Sequence, residues 1–209
     1  MEKGRLEAFT DGVIAVIITI MVLELKAPHD SSAPALLQQW PIFLSYVLSF
    51  IYVGIYWNNH HHLLHAVEHV NGKVMWANLF FLFWLSLFPF ATSWLNESKP
   101  LPAGAPTAFY GFVLLMAAVS WIPLSRALIE ANRGEEGQLA QAIGGNWGDW
   151  KANVSPFIYI AAIVLALLAP IVSFGPIVSC GLYAVVAAIW FIPDKRIEEK
   201  VLEDKVSSQ

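Results

Sequence analysis

The sequence predicts an all-α integral membrane protein with six transmembrane helices, and three observations predict it. Hydrophobic residues make up 57% of the chain and charged residues only 13%, far from the balance of a soluble domain. Apolar runs of about 20 residues, enough at helical rise to cross a hydrocarbon core, recur along the whole length. Basic residues fall on alternate connections between those runs, as they do in multi-pass proteins.

The elements follow in order from apolar runs bounded by turn signals. The first span covers 5–26 and ends before Pro28. The second, 41–65, opens at Pro41, a residue suited to a first helical turn. The third covers 73–95. The fourth, 107–130, follows the Pro- and Gly-rich stretch 100–106. The fifth covers 153–173, and Gly175-Pro176 turns the chain into a sixth over 176–192. Pro89, Pro123 and Pro170 lie inside runs and predict kinks rather than ends, which helix bundles tolerate. The polar stretch 131–150 reads as a cytoplasmic linker too short for a domain, and 194–209 as a charged tail extending the sixth helix. The chain reads as one six-helix domain, 1–209, without internal repeats.

With the amino terminus inside, Lys3, Arg5, Lys73, Arg126, Arg133, Lys151, Lys195, Arg196, Lys200 and Lys205 are cytoplasmic, against only Lys26 and Lys99 outside. An even number of spans puts both termini in the cytoplasm. Glu2-Lys3-Gly4-Arg5 leads into a run too long for the h-region of a signal peptide. A net charge of −4 and the lack of a basic tract exclude nucleic acid as a partner, and the lone Cys180 excludes an intrachain disulfide framework.

The stretch from Arg5 through Phe9, Thr10, Asp11 and Gly12 carries the chemistry. It puts a guanidinium, a hydroxyl and a carboxylate at the start of an apolar span, where ionisable groups mark a functional site by default. Gly12, Val16, Ile20 and Leu23 then form one helical stripe, with Thr19 at its edge. Such a stripe suits close helix packing around Gly12. It suits equally a symmetric pore closed by apolar rings that gate by dewetting. Asp11 near one end and Glu24 near the other supply acidic mouths that would concentrate cations. Arg5, Phe9, Thr10 and Asp11 are expected to form a buried knot that holds the helix at one rotation, with His61, His62 and Asn78 as candidate partners.

Arg5-x-x-x-Phe9-Thr10-Asp11, followed by the apolar run, resembles the R-x-x-x-F-S-D motif that opens the first helix of the transmembrane protein 175 family of potassium channels. The six-span layout agrees over essentially the whole chain, as do Trp57…His61 on the second span and Asn78…Pro89-Phe90 on the third. The resemblance implies the short, prokaryotic, single-repeat type: a homotetramer in the inner membrane, with the first helix lining a central pore. It places the hydrophobic constriction at Val16, further layers at Ile20 and Leu23, and the selectivity-tuning threonine at Thr19. Two departures stand out. Thr10 replaces the motif serine but keeps its hydroxyl, and Val16 is one methylene smaller than the usual isoleucine or leucine. Nothing resembles a Thr-Val-Gly-Tyr-Gly carbonyl filter, so selectivity is expected to be modest.

His60, His61, His62, His65 and His69 form the rival signal. His61, His65 and His69 share a helical face at a spacing that can bind zinc, and the string is similar to half of a di-iron desaturase box. Such enzymes need boxes from several helices, and only His29 lies elsewhere, so the cluster is expected to be metal-free. The function expected is therefore passive, potassium-preferring cation conduction without a cofactor, by a homotetramer in the lipid bilayer. An ion-coupled secondary transporter is the alternative, and a histidine-cluster metalloenzyme ranks below it.

Overall fold

The computed structural model describes residues 2–28, 30–99, 101–132 and 150–191. The linker, apart from its two ends, and the carboxy-terminal tail lie outside the described residues. Eight helices occupy the described residues: α1 (Lys3–Leu23), α2 (Ala33–Leu37), α3 (Trp40–His65), α4 (Gly72–Ser86), α5 (Phe88–Glu97), α6 (Gly104–Ala131), α7 (Trp150–Leu167) and α8 (Gly175–Phe191). There is no strand among them.

Proline chemistry explains where the helices stop. Pro89 lacks an N–H and its ring crowds the carbonyl four residues back, so the ladder breaks at Leu87 and α5 restarts with Pro89 in its first turn. Pro123, by contrast, sits within an unbroken α6. Pro170 behaves differently from the kink expected of it. Helix α7 ends at Leu167, and 168–171 form turns, so the helix stops several residues short of 173. The residue before a proline is pushed away from helical backbone, and the Gly175 reversal follows at once. The connection after α1 also holds the short helix α2, with Pro34 near its start.

Many large apolar side chains stand on the outside of this subunit. Trp76, Phe157 and Ile171 are 75%, 72% and 82% exposed, which a protein in water would not tolerate over so much surface. Four stretches, Lys3–Leu23, Trp40–His65, Gly72–Glu97 and Gly104–Ala131, are long and apolar enough to cross a membrane. The chain is an integral membrane protein.

Polar groups inside such a bundle must find partners within it. Ser49 of α3 bonds the Thr92 hydroxyl of α5 at 2.7 Å and the Tyr110 hydroxyl of α6 at 2.9 Å. Tyr52 donates to the Tyr183 carbonyl of α8 at 2.6 Å, and Tyr159 of α7 donates to the Tyr52 hydroxyl at 3.3 Å. Tyr183 in turn donates to the Thr107 carbonyl at 3.2 Å. These rings join α3, α5, α6, α7 and α8 through one buried polar cluster. At one end of the bundle the Asn132 side chain closes α6 onto the α3–α4 connection. Its oxygen accepts from the Glu68 and His69 amides, both at 2.9 Å, and its nitrogen donates to the His69 and Leu128 carbonyls.

Gly111 is what lets the tyrosine cluster close. A Cβ built there would stand 2.0 Å from the Tyr183 hydroxyl, whereas one at Gly181 would meet nothing within 4 Å. Gly111→Ala should therefore destabilise the protein by about 1–3 kcal/mol through overpacking. Thermal unfolding in detergent should show a lowered midpoint for Gly111→Ala and an unchanged one for Gly181→Ala.

Candidate functional site: the first helix and its anchors

At about 100° per residue, α1 divides into two opposite faces. Leu6, Thr10, Ile14, Ile17 and Met21 gather on one side and are buried, packed against α3, α4 and α5. The other side carries Arg5, Phe9, Gly12, Val16, Ile20 and Leu23. The contrast is large: Ile14, Ile17 and Met21 are 1–3% exposed, while Val16 is 54%, Ile20 42% and Leu23 78% exposed. Thr19 is also exposed, and its hydroxyl donates back to the Val16 carbonyl at 2.9 Å. A Cβ at Gly12 would meet nothing within 4 Å, so within the subunit that glycine allows no close helix contact. The stripe residues thus lie together on the face of α1 that the subunit leaves uncovered.

A directional chain of hydrogen bonds holds the buried face. Asn78 on α4 donates from its amide nitrogen to the Thr10 hydroxyl at 2.8 Å, and its amide oxygen accepts from His60 Nε2 on α3 at 2.8 Å. With the amide in this orientation, the imidazole carries its proton on Nε2. Thr10 and Asn78 are fully buried and His60 is 1% exposed. The His60 ring also stacks on Phe81, with centroids 5.9 Å apart.

A second row of contacts joins α1 to α3 along the flank. Lys3 reaches the His65 carbonyl at 3.4 Å, Glu7 lies 3.3 Å from His61 Nδ1, and Asp11 accepts from Trp57 Nε1 at 2.9 Å. Positions 3, 7 and 11 climb α1 as 65, 61 and 57 descend α3, so the helices run antiparallel with one rung per turn. His61 is sandwiched by Trp57 and His65, with centroids 6.1 Å from each.

Several expected placements are corrected by this geometry. Arg5 and Phe9 are not in the knot: they stand on the exposed stripe, and Phe9 is 51% exposed. Consecutive helix residues point about 100° apart, so Phe9 cannot share the buried direction of Thr10. The His62 side chain has no hydrogen bond among the described residues and meets the His61 ring edge-on. The histidine that enters the buried chain is His60. His60 falls on the face of α3 that buries Ser49, Tyr52, Val53, Leu63 and Leu64. Trp57, half-exposed on α3, donates its indole N–H to Asp11. Glu24 lies toward the packed side, where its carboxylate accepts from Ser93 on α5 at 2.7 Å, and beside it Lys26 pairs with Glu97. Among the described residues, no three His, Cys, Asp or Glu side chains stand together as a metal site.

Asn78 satisfies both neighbours at once. Asn78→Leu keeps the branched skeleton but leaves a buried hydroxyl and a buried imidazole without their partner, each costing about 1–3 kcal/mol. Thr10→Ser keeps the acceptor and should lose much less. Thermal unfolding of the purified variants, compared with wild type, checks the ranking.

The comparisons with known proteins agree with one another. Residues 5–89 match the family described as "Endosomal/lysosomal potassium channel TMEM175". A protein of Chryseobacterium sp. (strain P1-3) named a potassium channel is 48% identical over 204 residues, spanning 98% of this chain and 100% of its own length. The Danio rerio endosomal/lysosomal proton channel TMEM175 is 33% identical over 110 residues, 47% of this chain and 21% of that protein. The crystal structure of a lysosomal potassium-selective channel TMEM175 homolog from Chamaesiphon minutus superposes with a TM-score of 0.74 at 26% identity, covering 90% of this chain and 95% of that one. With a relative at that identity matched end to end, this chain belongs to the TMEM175 family.

Proposed function

We propose that the chain is the subunit of a passive, potassium-preferring cation channel, a homotetramer whose central pore is lined by α1. The observation that carries this reading is the uncovered apolar face of α1, bearing Val16, Ile20 and Leu23 with Thr19 beside them. A subunit that packs one side of its most apolar amino-terminal helix and leaves the other bare has a surface suited to a shared axis. The name of the Chryseobacterium relative supports potassium as the permeant ion.

In this reading the apolar side chains form stacked rings that exclude a continuous water column until the passage widens. Thr19 offers the passing ion an oxygen whose own proton is already committed to the Val16 carbonyl. With no carbonyl filter, discrimination rests on ring diameter and on these hydroxyls, so selectivity is modest. The name of the Danio rerio relative supports passage of protons as well. Thr10 and Asp11 set the rotation of α1 and do not touch the ion. Passive conduction calls for no cofactor. The excess of basic residues on one set of connections supports both termini in the cytoplasm of a bacterial cell, with the chain in the inner membrane.

The test is potassium efflux from proteoliposomes. Val16→Asn and Ile20→Asn should each leak potassium faster and discriminate less against sodium, because polar rings wet the constriction. Loss of flux in both variants, with transport coupled to a second ion in the wild type, would identify a secondary transporter and overturn the reading.

A further inference from the structure

Outside the α1 site, the described residues hold a groove of about 360 Å³ between α4 and α6, at the end of the bundle where Lys3 and His65 also lie. Its rim carries Lys73 at the start of α4, and Arg126 and Glu130 near the end of α6. Below the rim the wall turns apolar with Ala77, Ile122 and Pro123. Lys73 and Glu130 pair at 3.2 Å, with both side chains more than half exposed. Arg126, one turn before Glu130, is exposed and has no carboxylate partner among the described residues. Among the described residues the rim therefore carries two cations against one carboxylate, one of them uncommitted, at the level where a helix leaves the bilayer. Pro123 brings no N–H, so the Val119 carbonyl has no donor four residues on.

We propose that this groove binds an anionic phospholipid, its phosphate held between Arg126 and Lys73 and an acyl chain lying along Ala77, Ile122 and Pro123. Basic clefts between membrane helices on the cytoplasmic side suit such headgroups. The guanidinium supplies a planar pair of donors that matches phosphate oxygens, and Lys73 adds a second charge by turning from Glu130. The apolar wall descending from the rim favours a lipid over a free anion, because only a lipid covers both. The channel reading is not needed for this inference, which requires only that the chain sit in a bilayer.

Native mass spectrometry of the purified protein, titrated with phosphatidylglycerol or phosphatidylcholine at equal concentration, tests it. Wild type should retain phosphatidylglycerol preferentially. Arg126→Gln and Lys73→Gln should each reduce that retention roughly fivefold, the worth of one basic residue near an anionic headgroup, and leave phosphatidylcholine unchanged. Glu130→Gln removes the competing carboxylate while keeping both cations, so it should raise phosphatidylglycerol retention, a gain that misfolding cannot produce. Equal retention of the two lipids by wild type, unchanged retention in Arg126→Gln, or a fall in Glu130→Gln would each overturn the proposal. Complete displacement of phosphatidylglycerol by millimolar inorganic phosphate would overturn it too, since the site would then take a small anion.

Discussion

The rotation of α1 about its own axis depends on one buried amide, that of Asn78. Its nitrogen and oxygen point in opposite senses, one toward the Thr10 hydroxyl and the other toward the His60 imidazole, at 2.8 Å each. In a medium without water, a side chain that can satisfy two buried groups at once is hard to replace and costly to misplace. Thr10 can meet Asn78 only when the helix is turned to bury Leu6, Ile14, Ile17 and Met21 with it. The opposite stripe is then left bare as a geometric consequence. The flank contacts of Glu7 and Asp11 with His61 and Trp57 limit sliding along the axis, because each rung recurs once per turn.

The rest of the bundle supports this arrangement from behind. Helix α4 presents Asn78 at the right height because Asn71 caps its first turn, accepting from the Val74 amide at 3.1 Å. Asn132 fixes the connection that leads into it. Helix α3 presents His60 because its other buried residues, Ser49 and Tyr52 among them, are tied to α5, α6 and α8. In the proposed channel this division means that the residues deciding permeation and the residues deciding helix orientation lie on opposite faces of the same helix. A change on one face need not disturb the other.

Much of this was legible in the sequence, and the parts that were not share a physical cause. The apolar runs and the family resemblance follow from composition and from a short motif with a fixed position in its span. The stripe of Gly12, Val16, Ile20 and Leu23 follows from helical periodicity alone. Partner choice between helices does not, because it depends on crossing geometry that a single strip of sequence does not contain. His60, His61 and His62 are consecutive, and only the packing of α3 against α4 decides which of them meets Asn78. Glu24 illustrates the same point: near the helix end its direction is set by Ser93 of α5. Pro170 follows a helix end rather than marking the expected kink, because proline permits either and the outcome depends on the turn that follows.

The central claim is that α1 turns its Val16–Ile20 stripe toward the permeation path. Single cysteines in a Cys180→Ser background, treated with a water-soluble thiol reagent during potassium efflux from proteoliposomes, test it most directly. Modification of Val16→Cys and Ile20→Cys should block efflux, while modification of Ala15→Cys and Val22→Cys, about 100–160° around the helix from those two, should leave it unchanged. Block through Ala15→Cys and Val22→Cys with silent modification at Val16→Cys and Ile20→Cys would contradict the account.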